Sequence, residues 1–282
     1  MMISMVLMMI SRSVASASRI LEVLEEEPDI VDPANAVMEV KDGEIEFRNV
    51  NFKYEDDSEE NNLENINIKI KAGETVGIIG STGSGKTSLV QLIPRLYDGT
   101  KGEVFVGGRN VKEYNIEALR NSVAMVLQKN TLFSGTIAEN LRWGNAEATE
   151  AQIEAAASSS CVDEFIDRLP GRYDMHIEQG GVNVSGGQKQ RLCIARAIAS
   201  KPEILIFDDS FSALDYKTDR KIRENLKENE ADITKLIVAQ RIGTIMDANL
   251  IIVLDEGKMV GKGTHQELLN NCEVYREIAL SQ

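Results

Sequence analysis

The run Gly80-Ser81-Thr82-Gly83-Ser84-Gly85-Lys86-Thr87 constrains this chain more than any other feature. The apolar, β-prone stretch Val76-Gly77-Ile78-Ile79 leads into it. Thr87-Ser88-Leu89-Val90-Gln91-Leu92-Ile93, which reads as helix, leads out. Strand, glycine-rich turn and helix start are the context a phosphate-binding loop needs. Glycines let backbone N–H groups converge on phosphate oxygens, and the helix N-terminus adds partial positive charge. The nucleotide-binding set then runs from Gly80 to Ser88. Within it Lys86 reaches the β/γ-phosphates and the Thr87 hydroxyl ligates Mg²⁺.

At 282 residues the chain can hold one large domain or two modest ones with an ample core. A formal charge of −14, with Lys and Arg scattered, argues against a nucleic-acid partner. Cys161, Cys193 and Cys272 are an odd set without pair spacing, which argues against a disulfide framework or a zinc site. His176 and His265 are expected in surface or local structural roles. A reducing, ATP-containing compartment fits this usage best.

Residues 1–10 are apolar except for Ser4, and Ser11-Arg12-Ser13 ends the run. Ten residues cannot cross about 30 Å of hydrocarbon as a helix. Ala15-Ser16-Ala17 imitates a signal-peptide cleavage site, but the positive n-region is missing. The favoured expectation is the last turns of a transmembrane helix, with Arg12 and Arg19 at its cytoplasmic end. Helical text continues to Leu24, before Pro28. Residues 29–41 read as a linker.

From Glu44 alternation begins with Ile45 and Phe47, slips phase at Asn49, and resumes at Val50 and Phe52. It returns at Ile66, Ile68 and Ile70. This predicts half-buried antiparallel strands with a bulge or bend at Asn49. Apolar runs at residues 76–79, 204–207, 236–239 and 250–254 suit strands buried on both faces of an at least partly parallel sheet. Residues 146–169 are rich in Ala and Glu and predict a small helical insert. The strand at residues 204–207 ends in Asp208, which is expected to hold Mg²⁺ through water.

Far downstream of the loop comes Val184-Ser185-Gly186-Gly187-Gln188, ahead of the helical run Gln190-Arg191-Leu192-Cys193-Ile194-Ala195. Its N–H groups and the Ser185 hydroxyl form a second candidate anion site, Ser185 to Gln188. With Leu132-Phe133-Ser134-Gly135-Thr136-Ile137, Ser212-Ala213-Leu214-Asp215 and Gly263-Thr264-His265, residues 37–282 resemble the nucleotide-binding domain of an ATP-binding cassette (ABC) exporter. The resemblance implies an α/β fold: a P-loop core with a mostly parallel sheet, an antiparallel β subdomain, and a helical subdomain at roughly residues 130–195 carrying the signature peptide. It divides the chain into a membrane-helix end (1–26), a linker (27–42) and the nucleotide-binding domain (43–282). It also implies Mg-ATP sandwiched in a head-to-tail dimer, a transmembrane domain as partner, and the cytoplasmic face of a membrane as location. Tyr54 matches the aromatic under adenine. Gln128 matches a residue touching Mg²⁺ and the attacking water, and residues 128–136 match a segment facing the membrane domain.

Two positions depart from the family pattern. The general base is a glutamate in the family and Asp209 here; the following histidine is Gln240 here. Asp is one methylene shorter, and glutamine carries no proton or positive charge. These residues predict retained ATP binding and impaired hydrolysis at the chain's own site. The expected assembly is a heterodimer whose second ABC subunit keeps the catalytic Glu and His. The competing reading is an active homodimer with Asp209 working slowly. A soluble cassette ATPase should show coiled-coil heptads, a basic surface or tandem cassettes, and the sequence has none. A non-hydrolysing ATP sensor overlaps with the degenerate site and separates by single-turnover hydrolysis. A small-molecule kinase would not need the signature peptide.

Overall fold

The computed structural model describes residues 2–55 and 60–282, which fall into two compact units, one ending at Val31 and one spanning Asp32–Gln282. The first is built on α1 (Met2–Leu24), a single 23-residue helix with no buried residue. With a mean hydropathy of 1.2 it is long and apolar enough to cross a membrane, by length and composition. It runs on through Ser11-Arg12-Ser13 and stops before Pro28.

The second unit contains, in chain order, β1 (Ile45–Phe52), β2 (Leu63–Ile70), β3 (Thr75–Gly80), α2 (Lys86–Gln91), β4 (Lys101–Val106), β5 (Arg109–Asn110), α3 (Ile116–Ser122), β6 (Val123–Val126), β7 (Gly135–Thr136), α4 (Ile137–Arg142), α5 (Glu150–Ser159), α6 (Asp163–Ile166), β8 (His176–Ile177), α7 (Gly186–Ala199), β9 (Ile204–Asp208), α8 (Tyr216–Asn229), β10 (Thr234–Val238), α9 (Ile242–Ile245), β11 (Leu250–Asp255), β12 (Lys258–Gly263), α10 (His265–Asn271) and α11 (Glu273–Leu280). Six strands form the main sheet in the order β12-β11-β3-β10-β9-β6, parallel except at β12. A second sheet, β2-β1-β4-β5, is antiparallel. Val104 and Val106 of β4 join its buried face, a strand the alternation argument had not picked out.

The apolar runs are two-faced, as a sheet covered on both sides requires. Ile79, Leu205, Phe207, Ile237 and Val253 enter a core shared with α4, α5, α7 and α8. Their alternates Ile78, Ile206, Leu236 and Ile252 enter a second core shared with the antiparallel sheet and α2. The phase slip in β1 is a bulge: Phe47 pairs with Ile68 but Val50 with Ile66, and Asn49 takes a φ of 49°. The segment read as a linker is anchored from Asp32 onward. The Asp32 carboxylate accepts from Asn115 Nδ2 and Ile116 N, Val37 bridges to Tyr114, and Val40 is buried. Helix α7 packs on α4, α5 and β6, so the helical segment rests on the edge of the main sheet.

Phe207 is fully buried in β9, immediately before Asp208. Phe207→Ala should therefore cost about 3–5 kcal/mol, read as a lowered urea midpoint with an unchanged slope.

Candidate nucleotide-binding site

Parallel pairing places the C-terminal ends of β3, β10, β9 and β6 side by side, where ligands of open α/β sheets sit. From those ends come Gly80, Gln240, Asp208 with Asp209, and Gln128. The sequence-predicted phosphate and catalytic residues therefore meet at one sheet edge.

The turn from β3 to α2 needs its glycines. Gly85 has a φ of 92°, and a Cβ there would lie 2.7 Å from Asn62 O. Gly83 has a φ of 82° with open space around the missing Cβ, which leaves room for a ligand against the backbone. Lys86 Nζ donates to Gly80 O at 2.9 Å, Ser81 O at 2.7 Å and Ser84 Oγ at 3.4 Å. Burial lowers its pKa, and the negative charges of Asp209 and Asp208 oppose that shift. Its ammonium thus lies against the loop where phosphate charge would compensate it.

Thr87 Oγ1 lies 3.1 Å and 3.0 Å from the two carboxylate oxygens of Asp208. Asp208 is 5% exposed, and burial raises its pKa; the Thr87 hydrogen bond lowers it, Asp209 raises it and Lys86 lowers it. A hydroxyl and a carboxylate converging this way are hard oxygen donors suited to Mg²⁺. Among the described residues no group of three or more Asp, Glu, His or Cys could hold a metal. So few side-chain donors suit Mg²⁺, which usually keeps several waters and binds substrate phosphates.

The Asp209 carboxylate is the junction of the site. Its Oδ2 accepts from Gln128 Nε2 at 3.0 Å and from Gln240 Nε2 at 2.7 Å. Its backbone is left-handed, with a φ of 49°, and its N–H donates to Val238 O at 3.0 Å. Both departures from the family pattern are therefore in direct contact, a relation no local sequence signal carries.

Tyr54 is 47% exposed, with its hydroxyl 2.9 Å from Ser88 Oγ and 3.1 Å from Gln91 Oε1. Its ring packs edge-on against Phe52 and Tyr97, which leaves aromatic surface open beside α2. Tyr97 was not singled out by the sequence.

Among the described residues, no hydrogen bond joins residues 185–188 to the phosphate loop. Ser185 caps α7 in a capping box, its Oγ accepting from Gln188 N at 3.3 Å while its N donates to Gln188 Oε1 at 2.9 Å. No heavy atom lies within 4 Å of a Cβ placed on Gly186, and only Leu214 approaches one on Gly187. The helix start is thus uncovered. Behind it, Gln190 Oε1 accepts from Asn130 Nδ2 at 2.5 Å, and Arg196 holds Thr131 O and the Asn140 amide. Residues 128–131 are therefore tied to Asp209 through Gln128 and to α7 through Asn130 and Thr131. The sequence reading missed Asn130, Gln190 and Arg196 as partners, because each bond spans a long stretch of chain.

The sequence profile described as ABC transporter matches residues 63–212. Over 281 residues the chain is 42% identical to an uncharacterized ABC transporter ATP-binding protein, YfiB, of Bacillus subtilis (strain 168), covering 100% of this chain and 48% of that protein. It is 40% identical over 271 residues to a putative multidrug export ATP-binding/permease protein, YgaD, of the same organism, covering 95% and 46%. A solved bacterial Atm1-family ABC exporter with ATP bound superposes with a TM-score of 0.90 at 31% identity, over 97% of this chain and 48% of that one. The chain spans about half the length of the relatives it matches. With the fold, the phosphate loop and the signature helix in place, the chain belongs to the ABC transporter family and contains its ATP-binding domain.

Proposed function

We propose that this chain is the energy-coupling part of an ABC exporter, that it binds Mg-ATP at its own site with slow hydrolysis, and that its signature helix completes a faster site on a partner subunit. The observation that carries the proposal is Asp209 Oδ2, engaged by two glutamine amides. A general base must present an oxygen to water within hydrogen-bond reach. Here one oxygen is occupied, and the shorter side chain withdraws the carboxylate by about 1.5 Å relative to glutamate. Misplacement by about 1 Å can cost on the order of a hundredfold. Gln240 can hydrogen-bond a γ-phosphate but cannot supply a proton or a positive charge.

ATP binding needs none of these missing functions. Lys86 and the loop N–H groups take the phosphates, Tyr54 stacks on adenine, and Thr87, Asp208 and Gln128 surround the position for Mg²⁺. Bound there, Mg²⁺ neutralises phosphate charge. The open start of α7, Ser185 to Gln188, offers N–H groups to a nucleotide on another chain. The partner subunit is proposed to keep a catalytic Glu and His. The names of YgaD and of the solved exporter, which carry "multidrug export" and "ABC exporter", support the transport reading.

Residues 1–26 are proposed as the end of the last membrane helix, residues 27–42 as its connection and residues 43–282 as the nucleotide-binding domain, on the cytoplasmic face. A groove of about 420 Å³ lined by Met125, Leu127, Phe133, Trp143 and Arg196 is proposed to receive the membrane domain. Trp143 is 65% exposed and stacks on Phe133, an apolar surface beside residues 128–136.

In the purified assembled transporter, Asp209→Glu with Gln240→His should raise ATP turnover at this chain's site at least about tenfold. An unchanged rate contradicts the degenerate site. Lys86→Ala should abolish retention of labelled ATP on this chain, and Trp143→Ala should weaken association with the membrane domain in pull-down while leaving ATP affinity within about twofold.

A further inference from the structure

Gln240 is itself held from behind. Gln282, two residues beyond α11, bridges the turn that carries it: Gln282 Nε2 donates to Gln240 O at 2.7 Å, and Gln282 Oε1 accepts from Ile242 N at 2.8 Å. Ile242 opens α9, and Arg241 at the N-cap provides no side-chain hydrogen bond to that helix. The N–H of a helix start has no partner within the helix, and the Gln282 amide oxygen supplies one to Ile242. α9 packs on β3, and α11 packs on β3 and β11, so both ends of this clamp rest on the strand that leads into the phosphate loop.

We propose that Gln282 is a positioning residue for Gln240: its two hydrogen bonds fix the backbone of residues 240–242 so that Gln240 Nε2 stays on Asp209 Oδ2 and its side chain stays beside the nucleotide's terminal phosphate. The inference rests on the placement of Gln240 proposed above. A primary amide is the group the position requires, since it donates to a carbonyl and accepts from an N–H at once. Ala provides neither contact. Glu accepts from Ile242 N but sets a negative charge against the Gln240 carbonyl. Both hydrogen bonds of Gln282 end within residues 240–242, so its effect on the site passes through Gln240.

The test is a double-mutant cycle on the full transporter assembled with its partner. The complex is loaded with labelled 8-azido-ATP and chased with unlabelled ATP. The label still photocrosslinked to this chain is followed with time, together with release of labelled phosphate. Gln282→Ala should speed loss of label about three- to tenfold, the size of one to two hydrogen bonds, with the melting temperature unchanged. In a Gln240→Ala background it should add less than about twofold. Gln282→Glu, a gentler change, should fall on the fast side of the parent. Equal acceleration in both backgrounds, or none in either, overturns the proposal. Rapid phosphate release from the parent chain would instead overturn the slow-site reading, while the comparison of backgrounds would still report on Gln282.

Discussion

The register of four parallel strands is the constraint on which the site depends. Val238 of β10 lies opposite Ile78 of β3 and Asp208 of β9, and Phe207 lies opposite Val126 of β6. That alignment brings the phosphate loop, Gln240, the Asp208-Asp209 pair and Gln128 to one edge. It is held by alternate burial on both faces: a slip of one residue would exchange Leu205 and Phe207 with Ile204 and Ile206 between two different cores. The site is therefore as well defined as the packing of the sheet beneath it.

At that edge the charges are arranged by burial rather than by dense pairing. Lys86 and Asp208 are both pushed towards their neutral forms by desolvation, and each opposes that shift in the other; Asp209 helps keep Lys86 charged but adds to the push on Asp208, which the Thr87 hydrogen bond opposes. A phosphate tail with a divalent ion would complete this balance. Asp209 differs: its partners are neutral amides, from Gln128 and Gln240. The arrangement orders the carboxylate without offering it a proton relay. Under the proposed roles, binding and turnover are separable, because different residues serve them.

Much of this was legible in the sequence, and the reasons are local. The phosphate loop, the two-faced strands and the bulge at Asn49 follow from spacing and alternation over a few residues. The α7 start follows from Ser185, whose capping partner Gln188 is three residues away. The contact of Gln240 with Asp209 spans 31 residues and that of Gln282 with Gln240 spans 42, and no periodicity encodes either. The anchoring of the segment before β1 was hidden for the same reason: Val37 and Val40 look isolated along the chain, yet Val37 bridges to Tyr114 and Val40 is buried in the core. β4 also escaped notice, since in Lys101–Val106 only two residues are buried.

Residues 128–131 bond to Asp209 through Gln128 and to α7 through Asn130 and Thr131. Under the proposed heterodimer, this chain keeps its nucleotide while its partner turns over. The most direct measurement is the identity of the nucleotide on this chain after the assembled transporter has completed a single turnover with labelled ATP. Intact ATP on this chain, with ADP confined to the partner, is the predicted result. ADP in equal amounts on both chains would contradict it.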